Sequence, residues 1–143
     1  MFNSYGWIQL GVNRIGTDIM NEGIQEQIDK LDIQLESKVK DKIQEITDSN
    51  EIVKFDISAM NNLDGFITMK LSRNHFSPTL REFFKWISEI SDGSHGILYE
   101  INNEEKGFDS NKPYRLWRLI GNEFEECEEN IINEKYHKVN YMY

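Results

Sequence analysis

Hydrophobic and polar residues follow two periodic patterns along this chain, one typical of helices and one typical of strands. From Asp18 to about Asp48, apolar residues recur at spacings of three and four, the pattern of one buried helix face. These positions are Met20, Ile24, Ile28, Leu31, Leu35, Val39, Ile43 and Ile46. A second helix is predicted over 80–90, because the Ser-Pro-Thr motif at 77–79 is typical of a helix start and Gly93 suits a left-handed helix end.

Alternation of apolar and polar residues predicts the strands, which are placed at 7–12, 53–58, 67–72, 96–101, 114–120 and 123–127. Turn signals at 61–65 and 121–122 join neighbouring strands into antiparallel hairpins. The order is interpreted as β-α-β-β-α-β-β. This order predicts an α+β fold, a two-layer sandwich with a mostly antiparallel sheet and two helices on one face, in a single domain spanning residues 1–143.

The apolar faces of these elements predict the core. The residues expected to be buried in it are Trp7, Phe83, Phe84 and Ile87. Gly6 and Gly96 are expected to serve tight backbone geometry, because a residue without a side chain permits close approach.

Composition indicates one folded, acidic domain. The 143 residues are 38% hydrophobic and 12% aromatic, too apolar for a disordered chain. The 16 Lys and Arg against 25 Asp and Glu give a net charge of −9, which disfavours nucleic acid and anionic membranes as partners. No run approaches the ~18 apolar residues of a membrane span, the start lacks signal-peptide features, and Cys127 is the single cysteine. We therefore expect a soluble protein of the reducing cytoplasm.

Residues suited to catalysis or metal binding are few. His75, His95 and His137 include no pair at the i, i+4 spacing of a helical zinc site. Ser94 lacks the Gly-x-Ser-x-Gly spacing of a nucleophile turn and is interpreted as part of a tight helix-to-strand connection. Cys127 stands among glutamates, whose charge disfavours a reactive thiolate. We predict no catalytic residue, no metal site and no cofactor, and a small metal-dependent hydrolase using His75 and His95 is the enzymatic alternative.

Acidic residues gather in two stretches near the end of the chain. They are Glu100, Glu104, Glu105 and Asp109 in the first stretch, and Glu123, Glu125, Glu126, Glu128 and Glu129 in the second. If the two stretches are neighbours in space, they form one negative surface, which is either a solvated face or a docking surface for a basic protein. The residues that we predict to bind such a partner are Glu104, Glu105, Asp109, Tyr114, Trp117, Glu123, Glu125 and Glu126, with Tyr114 or Trp117 as an aromatic anchor.

Five segments, taken in order, resemble the immunity protein 7 family of bacterial polymorphic toxin systems. They are Tyr5-Gly6-Trp7-Ile8-Gln9-Leu10, Arg73-Asn74-His75, Leu80 to Ile90, Gly93-Ser94-His95-Gly96-Ile97-Leu98-Tyr99 with the acidic loop after it, and Tyr114 to Glu126. The resemblance implies a small cytoplasmic α+β protein, not an enzyme, that binds and neutralises the toxic C-terminal domain of a cognate effector. A net charge of −9 suits a basic toxin such as a nuclease. A generic acidic adaptor domain is the other alternative.

Overall fold

Six antiparallel strands and two helices make up the part of the chain that the structure describes. A computed structural model describes residues 1–11, 22–49, 52–59, 65–102 and 113–133. The elements are β1 (Phe2–Gln9), α1 (Glu22–Asp48), β2 (Val53–Ala59), β3 (Gly65–Arg73), α2 (Thr79–Ile90), β4 (His95–Asn102), β5 (Tyr114–Ile120) and β6 (Glu123–Cys127). The predicted α+β class is confirmed.

The strand order across the sheet is β2-β3-β1-β4-β5-β6, so β1 lies in its middle. Every neighbouring pair of strands is antiparallel. Because successive side chains of a strand point to opposite faces, the register aligns them in rows that cross the sheet. On the face that packs against the helices, the middle row is Phe55, Met69, Gly6, Leu98, Trp117 and Glu126.

The element boundaries agree with the predicted ones except at a few points. β5 and β6 have the predicted ends, whereas β1 begins at Phe2 and ends at Gln9 instead of covering 7–12. Pairing with β3 and β4 along the whole of β1 extends this strand through small and polar residues that obscure the alternation. The observed order is β-α-β-β-α-β-β-β and contains all six predicted strands. The predicted order β-α-β-β-α-β-β is one strand short, because it does not count both strands of the last hairpin separately. The predicted helix start before Glu22, including Met20, and the turn residues 61–64 lie outside the described residues.

The core lies between the sheet and both helices. Its helical side chains are Leu35, Val39 and Ile43 from α1 and Leu80, Phe83, Phe84 and Ile87 from α2. The predicted burial of Phe83, Phe84 and Ile87 is confirmed. The predicted stripe of α1 is wrong at Leu31, which is 52% exposed. At ~100° per residue, Leu31 lies about 120° around the helix from Ile43 and therefore turns away from the sheet.

Two glycines in the middle of the sheet allow close contacts that a side chain would prevent. A Cβ atom at Gly6 would lie 2.9 Å from Cζ of Phe84 and 3.0 Å from the carbonyl oxygen of Ile97. At Gly96 a Cβ atom would lie 2.1 Å from the carbonyl oxygen of Trp7. The prediction that these glycines serve tight geometry is confirmed, since no other residue fits either position without displacing its neighbours.

A pair of buried serines fixes the connection between α2 and β4. The hydroxyl of Ser91 donates to the carbonyl of Gly11 at 2.7 Å, and the hydroxyl of Ser94 accepts from the N–H of Gly11 at 3.1 Å. The carbonyl of Ser94 also accepts from the N–H of Gly121 at 2.8 Å, in the β5–β6 turn, where Gly121 has φ +57°. The structural interpretation of Ser94 is confirmed. Gly93 is not a left-handed helix end, because α2 ends at Ser91 in an extended conformation.

Substitution of Gly96 by Ala tests this packing. The new methyl group would overlap the Trp7 carbonyl, which is backbone and cannot rotate away, so we expect the free energy of unfolding to fall by more than about 3 kcal/mol. Gly65→Ala is the matched control, because its Cβ would make only ordinary contacts, with Leu10 at 3.7 Å and Glu36 at 4.0 Å, and it should change stability by less than about 1 kcal/mol. Urea unfolding of both variants measures the difference, and equal losses would contradict the proposed close approach.

Candidate functional site

Among the described residues, no helix packs against the second face of the sheet, which we call the outer face. It consists of three cross-strand rows, which are Lys54-Lys70-Tyr5-Tyr99-Leu116-Cys127, Asp56-Thr68-Trp7-Ile97-Arg118-Glu125 and Ser58-Phe66-Gln9-His95-Ile120-Glu123, and of the side chains beside them at Asn3, Ser72, Ile101 and Tyr114. Its central strands carry aromatic and apolar groups, unlike the polar outer face of an ordinary one-sided antiparallel sheet.

Trp7 belongs to this outer face, so its predicted place in the core is wrong. Its indole is half-buried and stacks on Phe66 with ring centroids 5.8 Å apart, while His95 meets it edge-on at 5.7 Å. The alternation explains the error, because Ile8, not Trp7, has the parity that faces the helices. Nearby, Tyr5 is 41% exposed with the ammonium of Lys70 5.6 Å from its ring. Aromatic groups held by neighbours in this way lose little conformational freedom when a partner covers them.

A groove of about 940 Å³ lies at one end of the outer face. Trp7, Ile97 and Ile120 supply apolar side chains, and the groove ends where the α2–β4 connection meets the β5–β6 turn. Its charged lining comprises Asp92, Arg118 and Glu123, with His95 beside them.

The acidic hairpin of β5 and β6 divides its charges between the two faces. Glu125 pairs with Arg118 on the outer face, and Glu126 pairs with Arg115 on the helix-covered face, where Nη2 and Oε2 are 2.7 Å apart. The hydrogen bond from Arg115 lowers the pKa of Glu126 below its ordinary value of 4.5, against a smaller opposing effect of burial. Both carboxylates have arginine partners within the same hairpin, so their negative charges are locally balanced.

Glu100 is not part of any acidic surface, which corrects its predicted place. The side chain is 1% exposed, and its two oxygens accept from Nε of Arg81 at 2.9 and 2.8 Å. The indole N–H of Trp117 also donates to Glu100 at 2.6 Å. Arg81 lies between two rings, with its guanidinium 4.8 Å from the centroid of Phe76 and 4.6 Å from that of Trp117. Trp117 therefore lies on the helix-covered side, where it is part of a buried ion-pair network.

The remaining predicted binding residues have separate positions. Tyr114 lies on the outer face; its backbone N–H donates to Oδ1 of Asn133 at 3.1 Å, and its carbonyl accepts from Nδ2 of the same side-chain amide at 2.6 Å. Glu123 and Glu128 are exposed, whereas Glu129 is buried and accepts from the N–H groups of residues 131–133 as a cap. Glu104, Glu105 and Asp109 lie outside the described residues. The structure thus brings Tyr114, Glu123 and Glu125 to one face and Trp117 and Glu126 to the other.

Apart from Tyr114, sequence reasoning missed the aromatic residues of the outer face, Tyr5, Trp7, Phe66 and Tyr99. A signal was available, because β1 and β4 carry large apolar or aromatic groups at both parities, such as Trp7 beside Ile8 and Tyr99 beside Leu98. This pattern indicates that both faces of the central strands are apolar. Partial burial, with the charge of Glu129 as a second cause, raises the pKa of Tyr99 above its ordinary value of 10.0.

Side chains that could take part in catalysis or metal binding are dispersed. His75 is exposed after β3, while His95 is exposed at the start of β4. Within the described ranges, no three His, Cys, Asp or Glu side chains cluster as metal ligands would. Neither helix, in the part of the chain that the structure describes, is long and apolar enough to span a membrane.

The described residues thus form a helix-backed antiparallel sheet with an aromatic outer face and an ion-paired hairpin at its edge. The family model of immunity protein 7 matches residues 1–132, nearly all of the chain. The chain belongs to this family, and the resemblance inferred from its motifs is confirmed. Family membership indicates an immunity protein with a toxin as its partner and an inhibitory role. Among curated proteins and solved structures, none matches the chain.

Removal of Glu100 tests the importance of the buried network. Glu100→Ala takes the carboxylate away from a guanidinium that is only 22% exposed, and we expect a loss of about 3–5 kcal/mol in the free energy of unfolding. Glu36→Ala removes an exposed carboxylate paired with Lys40 at 3.3 Å and should cost less than about 1 kcal/mol. Denaturant unfolding distinguishes the two. A Glu100 variant as stable as the Glu36 variant would show that the network contributes nothing.

The pair of Glu126 and Arg115 predicts a dependence of stability on pH. Since the folded pKa of Glu126 is lowered, its contribution is present above the ordinary value of 4.5 and is lost as the pH falls through the lowered value. The parent should therefore lose more stability on acidification from about pH 5 to about pH 3 than Glu126→Gln does. Arg115→Gln should flatten the same slope, because it removes the other partner. Identical slopes in all three proteins would contradict the pairing.

Proposed function

We propose that this protein neutralises the toxic domain of a cognate bacterial effector by forming a stoichiometric complex that blocks the active site of the toxin or the path of its substrate. Membership of the immunity protein 7 family over residues 1–132 is the observation that carries the proposal. The outer face supports it, because rigid aromatic groups such as Tyr5 and Trp7 suit the centre of a protein interface.

The binding surface that we propose is the β5–β6 edge of the outer face. Tyr114, Glu123 and Glu125 share this side and can be covered by one partner. Trp117 and Glu126 lie on the helix-covered side of the same hairpin, so they contribute only if the toxin wraps around the β6 edge. Glu104, Glu105 and Asp109 remain proposed contacts.

The proposed toxin is basic, such as a nuclease. A net charge of −9 attracts a surface of Lys and Arg over roughly a Debye length, about 8 Å at physiological salt, and so accelerates association. The same carboxylates would cover cationic groups that bind a polyanionic substrate.

Co-expression tests the function as a whole. The chain is produced together with the toxic domain encoded beside it, and host survival and copurification are measured. We expect survival only when both are present and a one-to-one complex by light scattering. Death of the host, together with failure to copurify, would refute the proposal.

Charge reversal locates the surface. Glu123→Lys with Glu125→Lys should slow toxin association at least tenfold at low salt and by less at high salt, because the steering charges are screened there. Glu26→Lys with Glu36→Lys makes the same change of charge on α1, in the helix layer, and should leave the rate within about threefold. The unfolding free energy of each variant is measured beside the rate. If the α1 variant loses protection while the hairpin variant protects cells, the surface is wrongly assigned.

A further inference from the structure

Two lysines stand directly opposite each other at the β2–β3 side of the outer face. Lys54 of β2 and Lys70 of β3 are partners in the antiparallel register, and both are exposed. The Cβ atoms of such a cross-strand pair are about 5 Å apart, and like charges placed there repel and destabilise the sheet. The ammonium of Lys70 lies 5.6 Å from the centroid of the Tyr5 ring on β1. Lys54, Lys70 and Tyr5 therefore stand next to one another in one row of the outer face.

No carboxylate pairs with either lysine in the part of the chain that the structure describes. The nearest acidic residue in the register is Asp56, which opposes Thr68 in the next row. A diagonal position of this kind is about 7–8 Å away from Lys70. The repulsion between the two ammonium groups is thus not relieved by an ion pair within these strands, and an anion placed between them from outside would relieve it.

We infer that an Asp or Glu side chain of the toxin binds between Lys54 and Lys70, beside the ring of Tyr5. This inference rests on the proposed function and names the chemistry of a further contact on the same face. One carboxylate suits the pair, because its two oxygens can accept charge-assisted hydrogen bonds from two ammonium groups at once. A polyanion such as nucleic acid is disfavoured here, because the net charge of the chain is −9.

The two margins of the outer face carry opposite charges. Glu123 and Glu125 lie on β6, whereas the two lysines lie on β2 and β3. Five strand spacings of about 4.8 Å separate β2 from β6, a width of roughly 24 Å. One partner's share of a standard interface, about 800 Å², spans this width. The toxin therefore lies across the sheet in one orientation, with basic groups over β6 and an acidic group over β2 and β3.

Lys54→Glu tests the site because it changes stability and binding in opposite directions. The new carboxylate opposes Lys70 and forms a cross-strand ion pair, so we expect the midpoint of thermal unfolding to rise. The same carboxylate repels that of the toxin, so the dissociation constant for an inactive form of the adjacent toxic domain should increase about tenfold or more. Net charge alone predicts the reverse, since a more negative chain attracts a basic toxin more strongly.

Lys30→Glu on α1 is the matched control, because Lys30 is exposed in the helix layer and the change of charge is the same. It should leave the dissociation constant within about threefold of the parent value. If Lys54→Glu binds as tightly as Lys30→Glu, or fails to bind because its unfolding midpoint has fallen, the carboxylate site is refuted while the proposed function stands.

Carbodiimide cross-linking examines the contact in the parent protein, because this reagent joins an ammonium to a carboxylate that touches it. In the complex with the inactive toxic domain, we expect mass spectrometry to find Lys54 or Lys70 joined to an Asp or Glu of the toxin, and Lys30 not joined. A complex in which neither Lys54 nor Lys70 is joined to the toxin would overturn the site and leave the proposed function intact. If the parent itself neither binds nor protects, the proposed function and the carboxylate site both fail.

Discussion

Close packing of Phe84 on Gly6 determines how the two layers of this protein meet. Only a glycine in the middle row of the sheet leaves room for the ring, since a Cβ atom there would lie 2.9 Å from it. With α2 held at this distance, Arg81 reaches the buried carboxylate of Glu100, and Phe84 contacts Phe124 of β6 with centroids 5.7 Å apart. The helix that packs on Gly6 thus also supplies the partner of the buried carboxylate and a ring contact to the last hairpin, whose outer-face residues follow from the strand register.

The surroundings of individual carboxylates show why the number of acidic residues in a stretch of sequence does not identify a binding surface. Glu100 is buried with an arginine, Glu129 caps a backbone turn, and Glu125 and Glu126 face arginines across the hairpin. Meanwhile α1 carries eight acidic and four basic side chains, so much of the net negative charge lies in the helix layer. The negative charge is therefore spread over the whole protein, whereas the outer face presents aromatic groups and a few carboxylates.

An antiparallel sheet covered by helices on one side is well suited to an inhibitor that must fit one toxin. Alternate residues of each strand point to opposite faces, so outer-face side chains can differ without changing the core residues beside them. Trp7 and Ile8 are adjacent in the chain, yet one borders the groove and the other is fully buried. The register of the strands also holds the outer-face side chains in fixed rows, which would reduce the entropy lost if the proposed partner binds there.

The sequence by itself determined the class of fold, the bounds of β5 and β6, the aromatic core face of α2 and the family, because periodicity and local motifs are short-range properties. Tertiary structure alone decided the strand order, with β1 between β3 and β4, and hence which residues share a row. It also decided that Trp7 faces outward, that Leu31 is exposed and that Trp117 is tied to Glu100. These outcomes depend on which element covers which face and on ion pairs between residues distant in the chain, and neither is encoded in the spacing of neighbours.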